Sequence, residues 1–89
     1  MARLPRYFVL NQPLHVIQRG NNREPIFAGK DDYRFYLECL REAAAREGLA
    51  IHAYVLMTNH VHLLATPRHA SSLSRTLQSV GRRYVQYFN

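Results

Sequence analysis

Two histidines separated by one valine, His60 and His62 in the stretch LMTNHVHLL, are the side chains of this sequence best placed to do chemistry. In a strand, residues two apart point to the same face and lie about 6.5–7 Å apart along the chain. Each imidazole can then offer one ring nitrogen to a shared ion. Imidazole suits Zn and other transition ions, and it joins Mn or Mg where oxygens complete the shell. The competing reading is two unrelated histidines at a strand edge. Neither residue is acidic, so a third ligand has to come from elsewhere.

Arginine is the second chemical feature. All of the 12 Lys+Arg residues except Lys30 are arginine, against 6 Asp+Glu, for a net charge of +6. Arg3, Arg6, Arg19 and Arg23 precede every acid, Arg68, Arg75, Arg82 and Arg83 follow every acid, and all acids fall between Glu24 and Glu47. Arginine grips phosphate with a two-pronged fork and stacks on bases, so this distribution points to nucleic acid, with plain solubility as the alternative. Other polar residues carry less. His15 and His52 read as strand histidines in packing or surface roles, and His69 reads as solvated in a loop after Pro67. Gly20 with Asn21 and Asn22 reads as a turn whose backbone donors could also face a phosphate.

The elements that must position these groups are legible from periodicity. LHVIQRG (14–20) reads as a strand ended by the turn cluster GNNR. DDYRFYLECLREAAAREG (31–48) reads as an amphipathic helix. Asp31 or Asp32 can cap its first turn, Gly48 can end it, and Tyr33, Tyr36, Leu37, Leu40, Ala43 and Ala44 recur at helical spacing. IHAYVLM and HVHLLAT flank Thr58 and Asn59, a tight hairpin in which Asn59 can take the left-handed turn conformation. SSLSRTLQSVGRRYVQYFN (71–89) reads as a second helix with a serine cap and an apolar stripe of Leu73, Leu77, Val80, Tyr84 and Phe88. Arg75, Ser79, Arg82 and Gln86 form its opposite, polar face. Both hairpin strands are apolar on two faces: Ile51, Ala53, Val55 and Met57 alternate with Tyr54, Leu56, Val61 and Leu63. Two helices cover only one face of a sheet. The expectation is therefore an α+β, ferredoxin-like β-α-β-β-α domain over residues 1–89. Its antiparallel sheet is expected to be incomplete at the C-terminus or completed by association.

Eighty-nine residues with 47% hydrophobic content suit one small folded domain. The single cysteine, Cys39, precludes an intrachain disulfide, and no run approaches membrane-spanning length. Both fit a cytoplasmic protein with no membrane contact.

The stretches HVIQRGNNREPIF, AYVLMTNHVHLLATP and LSRTLQSVGRRYVQYFN together resemble the opening of the IS200-like tyrosine transposases, most nearly the branch associated with repetitive extragenic palindromes. The resemblance runs from Leu14 onward. It implies a single-strand nuclease of the HUH class, with His60 and His62 as the two metal-binding histidines and Mg²⁺ or Mn²⁺ as the cofactor. It implies single-stranded or hairpin DNA as substrate, a homodimer, and a tyrosine nucleophile that leaves a 5′-phosphotyrosine and a free 3′-hydroxyl. In such enzymes that tyrosine lies on a later helix with Gln or Asn four residues on. Within this sequence only Tyr7 has such an amide, Asn11, in a stretch without helical periodicity. Tyr84 is followed at that spacing by Phe88 and is the in-chain rival. The expectations are thus metal at His60 and His62, DNA at Arg19, Arg75, Arg82 and Arg83, and a nucleophile beyond the chain end. The alternative is a truncated, catalytically inactive remnant that binds DNA or dimerises. A weaker third reading is a replication-initiator relative with the same histidine chemistry.

Overall fold

Alternating apolar residues make a stable sheet only where one face is covered, and here that face belongs to the two helices. The computed structural model of the chain describes residues 10–20 and 25–88. Its elements are strand β1 (Leu14–Arg19), helix α1 (Lys30–Glu47), strands β2 (Leu49–Met57) and β3 (His60–Pro67), and helix α2 (Ser72–Phe88). The strands form one antiparallel sheet in the order β1-β3-β2. This is an α+β fold, consistent with the expected ferredoxin-like order. Tyr7, Asn21, Asn22 and Arg23, which entered the sequence reading, lie outside the described residues.

The central strand separates the two faces cleanly. Val61, Leu63 and Ala65 are buried beneath the helices together with Val16 of β1. His60 and His62, which alternate with them on the other face, are only half-buried. Phe27, Tyr36, Cys39, Leu40, Ala43 and Ala44 meet Leu73, Leu77, Val80 and Tyr84 over that sheet face. Of the anticipated helical stripes, Tyr36, Leu40, Ala43, Ala44, Leu73, Leu77, Val80 and Tyr84 are core, Tyr33 and Leu37 are half-buried, and the side chain of Phe88 lies outside what is described. Helix α1 packs against both α2 and β2. The opposite face has no cover among the described residues. It exposes Ile17, Val55, Met57 and Leu64.

One expected alternation fails. Ile51 was placed on the side of Ala53, Val55 and Met57, but the register shifts between Ile51 and Ala53. The inserted residue, His52, returns Ile51 to the covered face, where it lies opposite Ala65. A β-bulge places two residues against one, and everything beyond it changes sides.

The helix ends follow local chemistry. Gly29 is the N-cap of α1, and Asp32, from inside the first turn, accepts from Ala28 N–H at 2.7 Å and Gly29 N–H at 3.2 Å. Gly48 closes the helix in the left-handed conformation, φ 76°, with its N–H bonded to Ala44 O. A Cβ there would also lie 3.1 Å from the His69 ring, so glycine is needed on both counts. At α2, the Ser72 hydroxyl accepts from His69 N–H at 3.0 Å, which fixes the loop entering the helix. Among the described residues no serine hydroxyl accepts from a first-turn amide of α2, so the expected serine cap is not what starts it.

The hairpin turn differs from expectation. Thr58 and Asn59 join β2 to β3, yet among the described residues only Asn11 and Gly48 have positive φ. Asn59 is not left-handed. The turn is instead braced from outside: Gly20 N–H donates to Asn59 O at 3.0 Å, and Ile26 and Phe27 N–H donate to Thr58 O at 2.6 and 3.3 Å. Those bonds satisfy the turn carbonyls, so the mirror-image turn is not required.

Candidate metal centre

Strand parity puts His60 and His62 on the open face of the central strand. Their rings sit 4.9 Å apart between centroids, inclined at 66°. Each has its Nδ1 engaged by another side chain. His60 Nδ1 lies 2.7 Å from Asn59 Oδ1. An amide oxygen only accepts, so the proton sits on Nδ1 and the Nε2 lone pair is left for a ligand. His62 Nδ1 lies 3.1 Å from Nε2 of His15, on neighbouring β1, and the two rings stack at 5.2 Å and 16°. Desolvation first, and then the charges of His60, His15 and Arg19, hold His62 below the ordinary imidazole value. The same surroundings favour its neutral form, the form that can ligate.

Two imidazoles on one open face fit a divalent ion whose remaining positions are filled from elsewhere. Among the described residues no group of three His, Cys, Asp or Glu side chains is placed to hold a metal ion together. The pair therefore supplies two arms, and the missing third ligand stays as the sequence left it.

His15 was read as a packing or surface histidine, and its contact with His62 was missed. The signal lay in strand pairing: β1 lies beside β3 with His15 opposite Leu64 and Ile17 opposite His62, so His15 is the diagonal neighbour of His62. Spacing within one strand cannot show that. His52 bonds Thr66 Oγ1 at 2.6 Å instead, and His69 is exposed beside the α1 terminus.

The arginines divide into two groups. Arg19 lies opposite His60 at the end of β1. It lines, with Arg82, Gln78 and Gln86 of α2, a groove of about 1070 Å³ floored by Tyr36, Leu77, Val80 and Tyr84. Arg75 and Arg83 turn toward the acids of α1 instead. Arg75 is 4.0 Å from Glu47, while Arg83 pairs with Glu42 and stacks over Phe35. Ser79, placed on the polar face of α2 by periodicity, is buried and accepts from Arg46 Nη2 at 2.8 Å. Helix packing, not amphipathic spacing, decides that side.

Tyr84 is in the core. It is 7% exposed, its rings contact Phe27 and Tyr36, and its hydroxyl donates to Ile26 O at 2.6 Å. Burial first, and then the charge of Asp32, push its phenol well above the ordinary value.

Comparison with known proteins gives a consistent picture. The profile of a family described as "Transposase IS200 like" matches residues 8–89. A crystal structure described as a candidate transposase from Deinococcus radiodurans R1 superposes with a TM-score of 0.74 at 26% identity. The match covers 97% of this chain and 68% of that one. No curated protein matches the chain. No described helix is long and apolar enough to cross a membrane.

Proposed function

The chain belongs to the IS200-like transposase family, and from that premise we propose that His60 and His62 form the metal-holding half of a site that cleaves and rejoins single-stranded DNA. The observation that carries this reading is the shared orientation of the pair. Both rings face the open side of β3, and both have Nδ1 occupied by a neighbouring side chain. A bound Mg²⁺ or Mn²⁺ would withdraw charge from a phosphate oxygen and lower the cost of attack at phosphorus. His60 and His62 hold and orient it, with their protons kept on Nδ1. Arg19, opposite His60, is placed to grip the same phosphodiester.

In this reading a tyrosine oxygen forms a bond to phosphorus as the bond to the 3′-oxygen breaks. The products are a 5′-phosphotyrosine and a 3′-hydroxyl, and the bond energy is kept for rejoining. The buried, hydrogen-bonded Tyr84 suits packing better than this role. The same reading makes the substrate an imperfect hairpin of the repetitive extragenic palindrome type, the protein a cytoplasmic homodimer, and the third metal ligand an amide near the nucleophile.

Titration with Mn²⁺ tests the site directly. The imidazole signals of His60 and His62 should broaden at lower metal concentrations than those of His52 and His69, with weak affinity because water fills the remaining positions. Equal broadening of every histidine would sink the site.

A further inference from the structure

We infer that His15 is a positioning residue: it accepts the Nδ1 proton of His62 and thereby turns the Nε2 lone pair of His62 toward the metal. The inference rests on the metal-site reading above and adds to it a residue from a different strand.

The geometry is specific about which atoms meet. His15 Nε2 faces His62 Nδ1 at 3.1 Å, and the rings stack nearly parallel. Two imidazole nitrogens at that distance share one proton. If His15 donated it, His62 would carry its own proton on Nε2 and could not ligate through that atom. If His62 donates it, Nε2 is free and the two ligands match, because His60 likewise donates its Nδ1 proton to Asn59 Oδ1 at 2.7 Å. Metal-bound imidazoles are held in this way, with the second nitrogen donating to a fixed acceptor that sets tautomer and ring angle. His15 then carries its own proton on Nδ1.

The same arrangement argues against His15 as a third ligand. Its Nε2 is committed to the Nδ1 side of His62, and no three-ligand group is assembled among the described residues. Because His15 is exposed, water competes for the contact, so the effect should fall at the low end of what such partners contribute.

The test uses the whole chain and two readouts. ¹⁵N-resolved imidazole spectra without metal report the tautomer of His62, and Mn²⁺ electron paramagnetic resonance reports affinity. His62 should be the Nδ1–H tautomer in the wild type and shift toward Nε2–H, the form favoured in water, in His15→Ala. Mn²⁺ affinity should fall by about tenfold in His15→Ala. His15→Gln, whose amide oxygen can accept the same proton, should retain most of both properties. An unchanged tautomer and affinity in His15→Ala would overturn the inference. So would a loss as deep as that of His62→Ala with no recovery in His15→Gln, which would make His15 a ligand. Failure of the metal site itself reads differently: His60→Ala and His62→Ala would then leave Mn²⁺ binding unchanged.

Discussion

Tyr84→Ala should lose most of the stability of this domain, whereas Tyr84→Phe should leave it folded. Tyr84 is 7% exposed, with Phe27 and Tyr36 edge-on at 5.7 and 5.4 Å. Removing a buried ring of this size costs about 3–5 kcal/mol, against a total of about 5–10 kcal/mol for so small a domain. The phenylalanine variant keeps the ring but leaves the Ile26 carbonyl without the hydroxyl that reaches it at 2.6 Å, a loss of about 1–2 kcal/mol. Urea titration followed by circular dichroism distinguishes these outcomes. The same pair of variants decides the chemical role of Tyr84. Incubation with Mg²⁺ or Mn²⁺ and hairpin DNA should give no denaturant-resistant adduct through this residue. If a wild-type adduct disappears in a folded Tyr84→Phe protein, the assignment to the core alone is wrong.

Single-stranded DNA affinity should fall steeply with salt, and Arg19 and Arg82 should account for more of the slope than Arg75 and Arg83. Each phosphate neutralised contributes about 0.7 to the log–log slope for a single strand. Arg19→Ala with Arg82→Ala should therefore flatten it by about 1.4, which is roughly a 25-fold change in affinity at 0.1 M salt relative to 1 M. The physical reason is competition. Arg19 and Arg82 line one groove, while Arg75 and Arg83 already face Glu47 and Glu42. Exposed pairs are weak, so phosphate can displace them, but only at some cost. Binding isotherms at several salt concentrations give the slope. If the Arg75/Arg83 double variant flattened it more, the DNA path would run over the α1–α2 side instead.

The element order and both helical stripes could be read from the sequence because burial imposes a period that spacing reveals. Leu73, Leu77, Val80 and Tyr84 could be called core without any coordinates. The pairing of His60 with His62 was legible for the same reason, since two residues of one strand share a face whatever their neighbours do. What escaped was everything that depends on a second element. His15 acquires its partner from strand order, Ser79 is buried by an arginine from α1, and Ile51 changes faces because His52 is inserted at a bulge. Asn59 was read for its backbone, but its side chain proved the informative part, because it bonds His60 while the turn is braced by residues 20, 26 and 27.

The two histidine contacts differ greatly in the length of chain they span. Asn59 and His60 are adjacent, but His15 and His62 are 47 residues apart. A local hairpin closes in about 1–10 μs, whereas a distant strand must first meet the entropy of closing a long loop. His60 should therefore be oriented early in folding, with β2 and β3, and His62 only when β1 docks. Mn²⁺ affinity should rise by about tenfold in the final phase of a stopped-flow refolding experiment, and full affinity in the earliest phase would show that β1 is not the last strand to arrive. The order in which the strands assemble thus becomes the order in which the site gains its competence.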